Sequence, residues 1–387
     1  MVRFPKKITV KLAQREGANA LRSLIDNGHL IDFSSNDYLG FARDASLNER
    51  TSEILADKRK IRNGATGSRL LTGNHSYYTA LEAKLAAFHQ TEAALVFNSG
   101  YDANVGFFSA VPQRGDIVLY DEYIHASIRD GINLGNAKGF KFKHNSLTDL
   151  ERRCKVERSQ STSNAEIYIV TESVFSMDGD SPDLKGMAEI NEKYNCFFVV
   201  DEAHALGVFG KKGAGLIQQM GLEEAVFARI VTFGKAIGVH GAAILGSGSL
   251  KAYLVNFARS FIYTTGLPPH AIALISAVYG KLEEDNQTKK AQLHENINYF
   301  EQQVESLNLK SLFIQSVSAI HCCVFSGNDR VRSMAERFQN EGFDIRPILS
   351  PTVPKGEERL RICIHSFNTK KEIRKVLQLL AIFTEEV

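Results

Sequence analysis

From about residue 37 to residue 280, short runs that are apolar throughout alternate with longer stretches in which apolar residues recur at helical spacing. The short runs are Ala94–Phe97, Ile117–Tyr120, Glu166–Thr171, Cys196–Val200, Arg229–Phe233 and Ala242–Leu245. A strand with one wet face alternates apolar and polar residues, whereas a strand buried on both faces does not. Buried strands separated by helices predict an α/β domain with a large, mostly parallel sheet and right-handed crossovers. Ligands of such sheets sit at the carboxyl ends of the strands, so the residues just after each run are the ones to inspect.

The flanks read differently. Thr9 to Asn27 has the spacing of an amphipathic helix, and Leu30–Asn36 that of a short strand ending in the turn Asn36-Asp37-Tyr38. Beyond residue 280 a polar helical stretch, Lys281–Leu307, precedes strands at Ala319–Phe325 and Leu360–Ile364 and a closing helix from Lys370. The expected division is an N-terminal helix and strand (1–45), a large α/β domain (46–280) and a smaller C-terminal α+β domain (281–387).

Composition narrows the class. With 44% hydrophobic and 23% charged residues, the 387-residue chain has the balance of a globular protein with a sizeable core. A net charge of +2 gives no general basic surface for nucleic acid. The basic N-terminal stretch, Arg3 with Lys6, Lys7 and Lys11, reads as a solvated helix face. Cys154, Cys196, Cys322, Cys323 and Cys363 are odd in number and form no C-x-x-C pair, which suits a reduced intracellular protein better than a disulfide framework or zinc site. No apolar run approaches the roughly 20 residues of a membrane span, and the start carries no charged-then-apolar signal segment. The expected location is the cytoplasm.

The run Cys196–Val200 leads straight into Asp201-Glu202-Ala203-His204. A carboxylate at the end of a buried strand is costly unless something cationic meets it. The run Arg229–Phe233 leads into Gly234-Lys235, with Gly238 and Gly241 close behind. Taken singly, Asp201 reads as a helix N-cap and Lys235 as a solvated lysine in a glycine loop. Together they suit pyridoxal 5'-phosphate, which needs a lysine to hold its aldehyde and an acid to keep its ring nitrogen protonated. Asn98-Ser99-Gly100-Tyr101 follows another strand and opens a helix, whose first N–H groups suit a phosphate. His125 follows Ile117–Tyr120, and its flat ring could stack on a pyridine. No phosphate-loop or G-x-G-x-x-G pattern is present in the matching position.

Three stretches make the reading specific: Thr171-Glu-Ser-Val-Phe-Ser-Met-Asp-Gly-Asp180, Asp201-Glu-Ala-His204 and Thr232-Phe-Gly-Lys235. They resemble the α-oxoamine synthase family, fold-type I pyridoxal-phosphate transferases that condense an amino acid with an acyl thioester and release carbon dioxide. The likeness runs from about Asn19 to the last helix. Phe33–Gly40, Gly67–Asn74, Phe257–Thr265, Pro351–Gly356 and Arg359–Arg361 resemble most the members that join L-alanine to a pimeloyl thioester, carried on coenzyme A or on a carrier protein. Glycine with acetyl-CoA, or serine with a long acyl thioester, is the alternative within the family.

The resemblance implies that Lys235 holds the cofactor and acts as the base, with Asp201 at the ring nitrogen. His204 and Ser176 would lie near the ring hydroxyl and His125 on the ring face. Gly100, Tyr101 and Thr232 would serve the phosphate, joined by Thr264 and Thr265 of a partner subunit in a homodimer. Arg361 matches the carboxylate anchor, and Arg22, Asn36 and Thr352 match positions lining the substrate site. Arg22, Arg69 and Arg259 are candidates for the distal carboxylate of a pimeloyl chain. Tyr101, Ala205-Leu206 and His240 depart from the family's usual residues without removing a required group.

Overall fold

The computed structural model describes residues 4–22, 24, 28–55, 62–160, 164–284 and 288–385. The chain forms two compact units. One comprises Asn36–Ser176 and Ser181–Ala291; the other comprises Met1–Ser35, Met177–Asp180 and Gln292–Val387.

Three units were expected and two are found. The first 35 residues belong with the C-terminal unit, because the short strand β1 (Ile31–Asp32) pairs in parallel with a strand near residue 343. The expected strand Leu30–Asn36 shrinks to these two residues, since the Asp32 carboxylate turns back to accept the N–H groups of Ser34 and Ser35. The N-terminal helix covers Lys6–Gly17 rather than Thr9–Asn27. It stops where Asn19 adopts a left-handed φ of 48°. Residues 25–27 of the expected helix, and Arg3, lie outside the described residues.

The larger unit is built on strands β2 (Ala93–Phe97), β3 (Ile117–Asp121), β4 (Lys138–Phe142), β5 (Ile167–Glu172), β6 (Phe197–Asp201), β7 (Ala228–Thr232) and β8 (Ala242–Gly246). They lie in the order β2-β8-β7-β6-β5-β3-β4. All run parallel except β8, which is antiparallel to both neighbours. Leu95, Val118, Val170, Val199, Ile230 and Ile244 join Phe107 and Ile128 of flanking helices in one buried cluster. At roughly 1.5–3 kcal/mol per large apolar side chain, such packing offsets the cost of polar groups held at the strand ends.

β4 had no counterpart among the apolar runs. Its sequence, Lys-Gly-Phe-Lys-Phe, belongs to an edge strand whose lysines face solvent and discourage further pairing. The expected helix Lys281–Leu307 is two described helices, Pro269–Glu284 and Thr288–Ser306. In the smaller unit, β9 (Ile320–Val324), β11 (Arg346–Ile348) and β12 (Arg359–Cys363) form an antiparallel sheet ordered β11-β12-β9, and β10 (Phe343–Asp344) pairs with β1. Among the described residues no helix is long and apolar enough to cross a membrane.

Candidate active site

The carboxyl ends of β2 and β7 meet at the start of the helix Gly100–Ala110. Ser99 caps this helix, its hydroxyl accepting the Asp102 N–H at 3.1 Å. A methyl group on Gly100 would lie 3.4 Å from the Thr232 side chain, so glycine keeps a cradle open between the helix start and Thr232. Asn98 donates to Thr264 Oγ1 at 3.1 Å and to the Thr265 carbonyl at 2.7 Å. Gly100 and Thr232 thus meet at one helix N-terminus, and Asn98, two residues before Gly100, holds Thr264 and Thr265. The Tyr101 ring is exposed, and its hydroxyl donates to Asp130 at 2.8 Å.

At the end of β6 the buried Asp201 accepts the Ala203 N–H on Oδ1 and Asn104 Nδ2 on Oδ2, both at 2.9 Å. Its neighbour Glu202 is buried against Arg229, with Nη2 to Oε2 at 2.5 Å, and is therefore spent on structure. On β5, Glu172 stands beside Asp201 in register. Its Oε1 accepts the His125 N–H at 2.5 Å. Burial, and then the negative charge of Asp201, push the Glu172 carboxyl up to about 8, against the pull of Lys235. Both effects favour the protonated, neutral form of Glu172.

His125 caps the helix Ala126–Leu134. Part of its ring meets solvent, yet desolvation of the remainder lowers its pKa; Asp201 opposes that shift and Lys235 adds to it. Lys235, half-buried after β7, thus sits within electrostatic reach of both His125 and Glu172. His204 Nδ1 lies 2.8 Å from the Tyr38 hydroxyl, which is 3.1 Å from Asn36 Oδ1. Ser176 is half-buried four residues beyond Glu172. Ala205 and Leu206 are core residues, and His240 faces solvent.

The smaller unit carries Arg22, Thr352 and Arg361, whereas Arg69 and Arg259 belong to the larger one. Arg22 Nη2 donates to Thr352 Oγ1 at 3.3 Å, and the two line a cavity of about 410 Å³ with Arg15, Arg332 and Arg346. Arg361, buried on β12, donates to Cys363 Sγ. Arg69, a candidate for the distal carboxylate, is otherwise engaged: it pairs with Glu82 at 2.5 Å, bonds Asn74 and stacks over Tyr78. Arg259 lies over the Tyr263 ring.

Asn104, Ser127, Glu172 and Tyr38 were not singled out from the sequence, although all four touch predicted site residues. Three weak signals existed. Asn104 follows Gly100 by one helical turn, Glu172 lies inside the Thr171–Asp180 motif and Tyr38 inside the Phe33–Gly40 motif.

A seven-stranded, mostly parallel sheet with lysine, aspartate and a helix N-terminus at its carboxyl edge defines a class. The chain belongs to the aminotransferase class I and II family, whose model matches residues 28–380. Within that family it is an α-oxoamine synthase, as its relatives are. The 8-amino-7-oxononanoate synthase of Emericella nidulans is 40% identical over 371 residues, covering 92% of this chain and 90% of that one. The solved 8-amino-7-oxononanoate synthase of Francisella tularensis superposes with a TM-score of 0.78 at 27% identity, over 93% of this chain and 99% of that one. A lysine-to-alanine variant of a serine palmitoyltransferase of S. paucimobilis, solved with a bound PLP–myriocin aldimine, superposes with a TM-score of 0.86 at 25% identity, over 98% of this chain and 97% of that one.

Proposed function

We infer that this chain is an 8-amino-7-oxononanoate synthase, a pyridoxal-phosphate-dependent acyltransferase that joins L-alanine to a pimeloyl thioester and releases carbon dioxide and the thiol. The observation that carries the reading is the convergence of Asp201, Glu172, His125 and Lys235 at adjacent strand ends. The residues fit the cofactor: the gap at Gly100 and the helix N-terminus suit a phosphate, and the buried Asp201 carboxylate, held by Asn104 and Ala203, suits a protonated ring nitrogen. When bound, pyridoxal phosphate supplies an electron sink for the α-carbon of an amino acid.

The protein's own groups then divide the work. Lys235 holds the aldehyde end through Nζ, and the same amine, when not so engaged, is the base for the α-proton. Asp201 keeps a proton on the ring nitrogen, and Asn104 and Ala203 hold its oxygens in place. His125 would offer its flat ring to the cofactor, its backbone N–H held by Glu172. His204, oriented by Tyr38, and Ser176 serve the ring hydroxyl. Gly100, Tyr101 and Thr232 bind phosphate. Arg361 anchors the alanine carboxylate, while Asn36, Arg22 and Thr352 line the substrate path.

The unit is a cytoplasmic homodimer in this reading, with Thr264 and Thr265 completing the partner's phosphate site. Turnover of L-alanine, glycine and L-serine against pimeloyl, acetyl and palmitoyl thioesters tests the assignment. Each methylene buried is worth about 0.8 kcal/mol, and a cationic mouth would favour a chain that ends in a carboxylate over palmitoyl. L-Alanine with pimeloyl thioester is expected to give the highest kcat/KM. Equal or better turnover of glycine with acetyl-CoA, or of serine with palmitoyl thioester, would transfer the chain to another branch of the family.

A further inference from the structure

We propose that Asn104 is a positioning residue that ties Asp201 to His125 and, through Ser127, reinforces protonation of the His125 ring on Nε2. The inference deepens the proposed function and rests on it only where the cofactor is used in the test.

Asn104 is 2% exposed, one turn into the helix Gly100–Ala110. Both hydrogens of its amide are used: one goes to Asp201 Oδ2 at 2.9 Å, the other to Ser127 Oγ at 3.0 Å. The amide cannot sensibly face the other way, because its oxygen would then meet the Asp201 carboxylate. In the orientation it has, Oδ1 is buried without a hydrogen-bond partner. Leucine, of nearly the same shape, would avoid that desolvation cost, so packing does not explain an amide at this position.

Ser127 passes the constraint on. It is fully buried, and its oxygen accepts from Asn104. Its own hydroxyl proton is therefore left for His125 Nδ1, 2.7 Å away. The Ser127 backbone N–H also points at Nδ1, at 3.2 Å. A backbone N–H can only donate, so Nδ1 holds a lone pair and the ring proton of neutral His125 is on Nε2. The lowered pKa of His125 agrees with a neutral ring. One buried side chain thus steadies the acid that faces the ring nitrogen and helps to set the outer nitrogen of the stacking histidine as a donor. The direction of each side-chain bond in the chain follows from Asn104 having its hydrogens, not its oxygen, on this side, and the Ser127 backbone N–H acts on Nδ1 in the same sense.

Side-chain ¹⁵N spectra of the cofactor-free protein labelled in its 11 histidines read the tautomer directly, with His125→Gln used to assign the signal. Wild type is expected to show His125 as the Nε2–H tautomer. Ser127→Ala should shift that signal toward a tautomer mixture while leaving the affinity for pyridoxal phosphate within a few-fold. Asn104→Leu should do the same to His125 and also weaken cofactor binding, on the order of ten- to a hundredfold, because Asp201 loses a charge-assisted bond. A wild-type His125 protonated on Nδ1 overturns the proposal even if Asn104→Leu does not fold. So do folded variants with unchanged His125 signals and unchanged cofactor affinity. Wild type that shows the expected tautomer but binds no pyridoxal phosphate leaves the relay standing and refutes the proposed function instead.

Discussion

Replacing Glu172 with Gln isolates one buried proton. The Gln side chain keeps the shape and an oxygen for the His125 N–H, but it cannot ionise. In the wild-type protein the Glu172 carboxyl is raised from an ordinary 4.5 to about 8 by burial and by Asp201. Below pH 4.5 the folded and unfolded chains are both protonated at this site, and the stability Glu172 contributes is fully present. Between 4.5 and 8 the unfolded chain releases the proton while the folded chain keeps it, so stability falls as pH rises. Above the folded value the loss is complete. Roughly three and a half units at 1.36 kcal/mol each set a ceiling of about 5 kcal/mol on that loss. The groups that face Glu172 are Asp201, Lys235, Asp121 and the His125 N–H, and all are retained in the Gln variant. The chain has no tryptophan, so urea unfolding is followed by far-ultraviolet circular dichroism on cofactor-free protein from pH 5 to pH 8.5. Near pH 5 the two proteins should be about equally stable, and the Gln variant should gain steadily on wild type up to about pH 8. A difference constant to within about 1 kcal/mol over that range would show that Glu172 is not the carboxyl that keeps its proton.

Two further outcomes are expected. Asp201→Asn leaves a neutral partner at the ring nitrogen, and kcat should fall about a hundredfold or more, as for other lost electrostatic stabilisers; steady-state turnover near wild type would assign the role to another acid. Mixing a Lys235→Ala protein with a Thr264→Ala/Thr265→Ala protein should restore some of the activity through hybrid dimers. The contact of Asn98 with Thr264 in the same chain makes this a real alternative, since a site completed within one subunit gives no rescue on mixing.

Much of the larger unit was legible because its central strands are buried on both faces. Val199, Val200, Ile230 and Val231 can hardly be anything but interior, and their periodicity needs no partner to be recognised. Lys235 and Asp201 were visible for a related reason: a charged residue straight after such a run has to be accounted for. β4 was not legible, because an edge strand with exposed lysines carries neither an unbroken apolar run nor a helical period. The antiparallel sense of β8 also had no local signal, since Ala242–Leu245 is as apolar as its parallel neighbours.

The electrostatic state of the site depended on the fold in a stronger sense. Asn104 meets Asp201 across 97 residues, and Tyr38 meets His204 across 166. Neither pair shares an element, so no spacing rule could join them. Glu172 and Asp201 are both carboxyls at the ends of apolar strands, and apart from the family resemblance the sequence does not rank them as the ionised partner. The sheet register sets them side by side with Glu172 buried, which pushes the Glu172 carboxyl toward its protonated form. Residue types and their place along each strand thus settled which chemistry this protein can hold. Which side chain carries charge, and which nitrogen carries a proton, was decided only when distant segments closed around one another, because desolvation and hydrogen bonding act through space and not along the chain.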